Sequence, residues 1–198
     1  MSKGKRSFKR PSPKRELEKV YIVATEGEKT EKIYFEFFNG VEYRKKIQVK
    51  VLPTKKGKSS PKAVIQRLQD YAKKTRLKPK DELWVVIDDD ERPKEQLQAV
   101  ANECKQKDNY FLAISNPCFE LWLLLHQENP KTPHNAHLCE QELTRLLGHK
   151  YNKSDYDLSK LTPHIKTAIR HAKRLNTEEI PSSVGTRVYL LVEKLSQK

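Results

Sequence analysis

An α/β fold of Rossmann-like type is predicted, with a central, mostly parallel sheet flanked by helices and a helical C-terminal cap. Three observations carry this. Three short runs are continuously apolar and partly β-branched, which is how strands read when both of their faces are buried. Segments with helical apolar spacing lie between them, so strand and helix alternate as in βαβ units. After Pro117 the alternation gives way to a helical pattern alone.

The elements follow in order. Residues 1–18 mix Pro, Ser and like charges without an apolar period, the composition of a disordered basic arm. Val20-Tyr-Ile-Val-Ala24 is the first buried strand, ended by Thr25-Glu-Gly-Glu28. Thr30 is placed to cap a helix whose apolar positions Ile33, Tyr34, Phe37 and Phe38 share a face, stopped by Asn39-Gly40. A short strand over 48–52 leads into a loop over 54–61. A helix over 61–77 follows, with Ala63, Val64, Leu68, Tyr71 and Ala72 facing inward. Leu83-Trp-Val-Val-Ile87 is another strand, ended by Asp88-Asp-Asp-Glu91. Pro93 then opens a helix in which Leu97, Val100, Ala101 and Cys104 align. Tyr110-Phe-Leu-Ala-Ile114 ends at Ser115-Asn-Pro117. Helices are predicted over 118–127, 137–147, 161–175 and 186–195, with Gly148 stopping the second and Thr162-Pro163 opening the third. The chain divides into the arm at 1–18, an α/β core at 19–116 and a helical part at 117–198 packed on that core.

The 198 residues suffice to bury one core, and the chain carries 40 Lys+Arg against 26 Asp+Glu, a formal charge of +14. No run approaches the roughly 20 apolar residues that span a bilayer, and the N-terminus has no apolar signal region. With three scattered cysteines, Cys104, Cys118 and Cys139, a reducing cytoplasmic location and no membrane association are expected. The charge is uneven: residues 1–19 carry net +6, residues 44–80 net +13, and the remainder −5. Lys55, Lys56 and Lys58 around Gly57 suit contacts to a phosphate backbone, which a flexible cationic loop follows without reading bases. A solubilising loop and helix face explain the same run, and the arm reads first as a plain solvated tail, with a nucleic-acid contact as the alternative.

In an open parallel sheet, function gathers beyond the carboxyl ends of the strands, and both acidic clusters lie there. If their strands are neighbours, Glu26 comes close to Asp88 and Asp90. Carboxylates held that close repel unless a cation sits among them, and hard oxygen ligands suit Mg²⁺ or Mn²⁺. Gly27 lets the backbone turn sharply and a phosphate approach. The competing reading is that Asp89, Asp90 or Glu91 caps the following helix. Glu120 lies inside an apolar helix and needs a partner, whether a cation, a Lys or Arg, or the metal centre. Asn116 either caps that helix or orients a substrate phosphate. His126 ends the apolar run as a hydrogen-bonded structural histidine or as a functional one.

Other chemistries lack their signatures. His134, His137 and Cys139 match no common zinc spacing, and no Cys-x-x-Cys pair exists. There is no G-x-S-x-G elbow, no positioned base for Cys118 and no G-x-x-x-x-G-K-[ST] loop for nucleotide hydrolysis. A phosphoacceptor receiver would want a Lys after a late strand, where Ser115-Asn-Pro117 offers none.

Four segments together resemble the RloB family: Thr25-Glu-Gly-Glu-Lys-Thr-Glu-Lys-Ile-Tyr-Phe35, Val86-Ile-Asp-Asp-Asp-Glu91, Ser115-Asn-Pro-Cys-Phe-Glu-Leu-Trp-Leu-Leu-Leu-His126 and Thr186-Arg-Val-Tyr-Leu-Leu-Val192. They run in the same order across residues 20–195, and the Asn-Pro-x-Phe-Glu-x-Trp-x-x-x-His block is the most specific. The resemblance implies a compact Toprim domain, the metal-binding module of topoisomerases, primases and nucleases of the OLD type. It further implies a role in antiphage defence, beside restriction systems or with a partner ATPase of the OLD or AbiL abortive-infection type. By position, the Toprim glutamate falls on Glu26 and the Asp-x-Asp pair on Asp88 and Asp90. The family often has a basic residue between those aspartates. Asp89 stands there instead, which alters metal affinity or leaves Asp89 solvated.

The expected activity is a Mg²⁺- or Mn²⁺-dependent nuclease cleaving DNA or RNA, tRNA included. Glu26, Asp88, Asp90 and Glu120 would serve catalysis, the first three as metal ligands. Glu26 is left open as base, acid or ligand. Lys29, Lys55, Lys56, Lys58, Asn116 and His126 would contact nucleic acid. The alternatives are a non-catalytic module that binds nucleic acid or recruits a partner, and an effector silent until an ATPase partner acts. A homo-oligomer is compatible with the sequence.

Overall fold

The apolar runs become strands covered on both sides. In the computed structural model, which describes residues 19–40, 47–54, 57, 59–89 and 91–197, they are β1 (Lys19–Thr25), β3 (Glu82–Asp88) and β4 (Tyr110–Asn116), joined by β2 (Ile47–Leu52). The predicted arm at 1–18, the lysines Lys55, Lys56 and Lys58, and Asp90 lie outside the described residues. The sheet order is β2-β1-β3-β4-β5, parallel except for β5 (Gly185–Thr186), which runs antiparallel to β4. Alternate side chains divide between two cores, as the period of two requires. Tyr21 and Val23 of β1 face one core with Trp84 and Val86 of β3, while Ile22 and Ala24 face the other with Leu83, Val85 and Ile87.

The second core is closed by α2 (Pro61–Lys74) and α3 (Lys94–Lys105). Leu97, Val100, Ala101 and Cys104 are buried there as their spacing predicts. On α2 the buried side chains are Val64, Ile65 and Leu68, while Tyr71 and Ala72 are only partly covered. Ser60 caps α2, accepting from the Ala63 N–H at 3.3 Å, with Pro61 in the first turn. The first core takes α1 (Thr30–Glu36), α4 (Phe119–Leu124), α5 (Ala136–Leu147), α6 (Ile165–Ala172) and α7 (Val188–Leu195). Gly148 ends α5 in the left-handed region at φ +78°, where a glycine is least strained.

Some boundaries differ from those predicted. Thr186 extends the sheet together with Gly185 instead of starting the last helix, because its hydroxyl lies 2.8 Å from that of Ser115 and the two strand ends pair. The helix expected over 161–175 is a 3₁₀ turn (Thr162–His164) running into α6. Thr30 is the first residue of α1 and not its cap. Its buried hydroxyl meets the Tyr151 hydroxyl at 3.2 Å and the Lys153 carbonyl at 3.4 Å. Among the described residues, no helix is long and apolar enough to cross a membrane.

Candidate functional site

From β1 the chain passes to β2 on one side, while β3 and β4 lie on the other. The loops leaving the carboxyl ends of β1 and β3 therefore diverge and leave a crevice. Glu26 is the first residue beyond β1, and its backbone N–H still donates to the Val86 carbonyl at 3.0 Å. That last ladder bond fixes Glu26 beside the end of β3. There the Asp88 N–H donates to Glu26 Oε2 at 3.4 Å. The other carboxylate oxygen, Oε1, accepts from Arg92 Nη2, and both side chains are largely withdrawn from solvent.

Glu26 and Asp88 line a cavity of about 430 Å³ with Gly27, Glu31, Cys118, Glu120 and Lys153. Gly27 is needed for close approach, but to a side chain of the chain itself: its N–H donates to Glu31 Oε1 at 2.9 Å, and an added Cβ would collide with that carboxyl group. Glu31 is 5% exposed. Burial pushes its carboxyl up to about 7, and Glu120 and Glu26 push the same way against backbone N–H donors that favour the anion. Glu120 meets its need for a partner with a lysine. It accepts from the Tyr151 hydroxyl at 3.2 Å and from Lys153 Nζ at 3.4 Å. Burial acts to lower the Lys153 ammonium, but Glu120 and Glu140 outweigh it and hold it above its usual range. The hydrogen bond to Cys139 and burial push the Cys118 thiol far up, so this cavity-lining sulfur is no thiolate nucleophile.

The basic side of the crevice is tied to the acidic turn. Thr54 Oγ1 lies 3.2 Å from both the Thr25 and the Gly27 carbonyls, and Arg67 donates to the Thr25 and Pro53 carbonyls. Lys29 is exposed and lines the cavity, as do Gly57 and Ser59, which flank Lys58 in sequence. The contacts expected of Lys55, Lys56 and Lys58 fall outside the described residues.

Other predicted residues stand apart. Asp89 is not solvated: it is 3% exposed, and its Oδ2 accepts from Lys94 and from Asn116 Nδ2, the latter at 3.0 Å. Nor do Asp89 and Glu91 cap α3, whose N-cap is Pro93 without a side-chain bond. Asn116 does not cap α4 either, the N-cap there being Cys118; its amide is committed to Asp89 and, at 3.0 Å, to the Pro181 carbonyl. His126 is 1% exposed, with Nδ1 at 3.0 Å from the Trp122 carbonyl and Nε2 at 3.1 Å from the Tyr34 hydroxyl. A carbonyl only accepts, so Nδ1 carries the proton and Nε2 accepts from Tyr34. Burial draws the imidazole down to about 4, against the two backbone carbonyls that favour the cation. This is a structural histidine with no surface for a nucleic acid. Arg92, Glu31 and Lys153 are the residues that sequence reasoning misses: an acid in a first helical turn or a Lys in a loop is too common to signal a site.

The donor chemistry suits a hard divalent cation. Mg²⁺ is commonly held by one or two carboxylates, with waters and substrate oxygens completing its shell. Glu26 and Asp88 supply such a pair, and the guanidinium on Glu26 marks where positive charge is accommodated. Among the described residues, no three His, Cys, Asp or Glu side chains converge as a closed metal cage, and Asp90 is not among those described.

Compared with known families, residues 21–195 match the RloB-like protein family. No curated protein and no solved structure matches the chain.

Proposed function

Since the chain belongs to the RloB-like family, we propose that it is a metal-dependent phosphodiesterase of Toprim type, acting on DNA or RNA in antiphage defence. The observation that carries the reading is the juxtaposition of Glu26 and Asp88 at the β1/β3 switch point, on an acid-lined cavity. Glu26 and Asp88, with Asp90, would hold Mg²⁺ or Mn²⁺. Such a cation, when bound, polarises a phosphoryl oxygen and stabilises the leaving oxyanion. Glu26 serves as a ligand or moves a proton at the attacking or leaving oxygen. Lys29 and the Lys55, Lys56 and Lys58 loop grip the phosphate backbone by charge, and Lys153 keeps the buried Glu120 neutralised beneath the cavity.

The test is cleavage of plasmid, single-stranded DNA and total tRNA with Mg²⁺, Mn²⁺ or chelator. Glu26→Gln and Asp88→Asn should each lower the rate by about 100-fold or more. Activity equal to wild type in both variants removes the centre. Cleavage seen only on co-expression with an ATPase partner makes the chain an effector awaiting a trigger. Salt-sensitive binding without cleavage under any metal makes it a binding module, a reading favoured by the engagement of Glu26 with Arg92.

A further inference from the structure

We propose that Arg92 is a resident counter-cation that competes with a divalent metal for Glu26, so that the centre is self-inhibited until the guanidinium is displaced. The inference rests on the metal-dependent reading above. Its basis is the geometry around one carboxylate. Oε2 of Glu26 is fixed toward β3 by the Asp88 N–H, and Oε1 is taken by Arg92. The Glu26 and Arg92 side chains are 14% and 22% exposed, so water and salt screen the pair weakly.

Glu31 and Asp88 add negative charge beside Glu26, and an acid-rich, half-dry pocket does not stay without a cation. Among the described residues, the cation paired with Glu26 is Arg92. A divalent ion bound through Glu26 would sit beside the guanidinium, and like charges at that distance repel. Metal binding and the Arg92–Glu26 pair therefore exclude one another.

Arg92 is built to be released. The chain around it is a tight turn: the Arg92 N–H donates to the Asp89 carbonyl at 2.8 Å, and Glu91 before it has φ +54°. The backbone is anchored by that bond, while the side chain is held by Glu26. Its Nε is buried without a hydrogen-bond partner, and among the described residues Glu26 is the only acceptor of the guanidinium. On the side of Arg92, displacement breaks this one ion pair.

The measurement is Mn²⁺ binding to the full chain, read from the electron paramagnetic resonance signal of free Mn²⁺, for wild type, Arg92→Gln, Arg92→Lys and Asp88→Asn. Arg92→Gln should bind Mn²⁺ about tenfold tighter than wild type, Arg92→Lys should remain near wild type, and Asp88→Asn should bind weaker. Affinity in Arg92→Gln that is equal to or below wild type overturns the competition. If that variant does not fold, the wild-type protein still answers: the Arg92 Nε–Hε resonance should move as Mg²⁺ saturates the site, and an unmoved resonance overturns the proposal. Should wild type and Asp88→Asn both ignore Mn²⁺, the centre itself fails. Should Asp88→Asn weaken binding while Arg92→Gln does not tighten it, only the role of Arg92 fails.

Discussion

The two ends of the sheet each bury a glutamate in an ion pair, and they treat it in opposite ways. At the amino end, Glu82 is outnumbered by donors: Lys19 at 2.6 Å, Lys194 at 2.7 Å and the Trp84 indole N–H at 2.9 Å. Burial alone would raise its carboxyl, but these three donors outweigh it and hold Glu82 low. At the carboxyl end, among the described residues, Glu26, Glu31, Asp88 and Glu120 gather around one cavity, with Arg92 bonded to Glu26 and Lys153 to Glu120. One end is satisfied by its own side chains and serves as a clasp. The other leaves the Glu31 carboxyl raised to about 7 by its burial.

Their pH dependences should therefore oppose one another. Glu31 is raised in the folded chain, so its contribution is fully present below its unfolded value, roughly 4.3, and is lost as pH rises through about 7. Glu31→Gln should gain about 3 kcal/mol over wild type at pH 8 and nothing near pH 4, read by urea denaturation at both. A flat difference between the two pH values would break the contrast. Glu82 is depressed, so its contribution holds above the unfolded value and fades as pH falls through the folded one. Glu82→Gln should cost about 2 kcal/mol at pH 7 and progressively less in acid, by the same denaturation series. The smallest effect concerns what ties the basic loop to the acidic end: Thr54→Val should cost about 1 kcal/mol in thermal melts. It should also speed amide exchange at Gly27 and Glu28 while leaving Trp84 unchanged.

The parallel sheet was legible because strands buried on both faces must be continuously apolar, and the runs at 20–24, 83–87 and 110–114 are. Glu26 and Asp88 were legible for a related reason: the strand-end rule needs only to know where such a run stops. β5 was not legible, since two residues carry no periodicity and Gly185 and Thr186 pair only because β4 ends beside them. Glu31 was hidden for a different cause. An acid in a first turn complements the helix dipole, and only the segment bearing Tyr151 and Tyr156, hydrogen-bonded to Thr30, makes this one buried. Asp89 shows the limit of spacing: it is adjacent to Asp88 in the chain, yet its N–H donates to the Ser115 carbonyl and it belongs to the β4 side.

The close approach of Gly27 and Glu31 reaches beyond this one chain's energetics. The two residues divide a single volume between them, a hydrogen at one position and a carboxyl group at the other. A methyl group can enter at 27 only when the Glu31 carboxyl swings aside, shortens or leaves, so the effect of either substitution depends on the other. The order of change is therefore one-sided: position 31 can be substituted first and alone, whereas a larger residue at 27 is admitted only after Glu31 has given way.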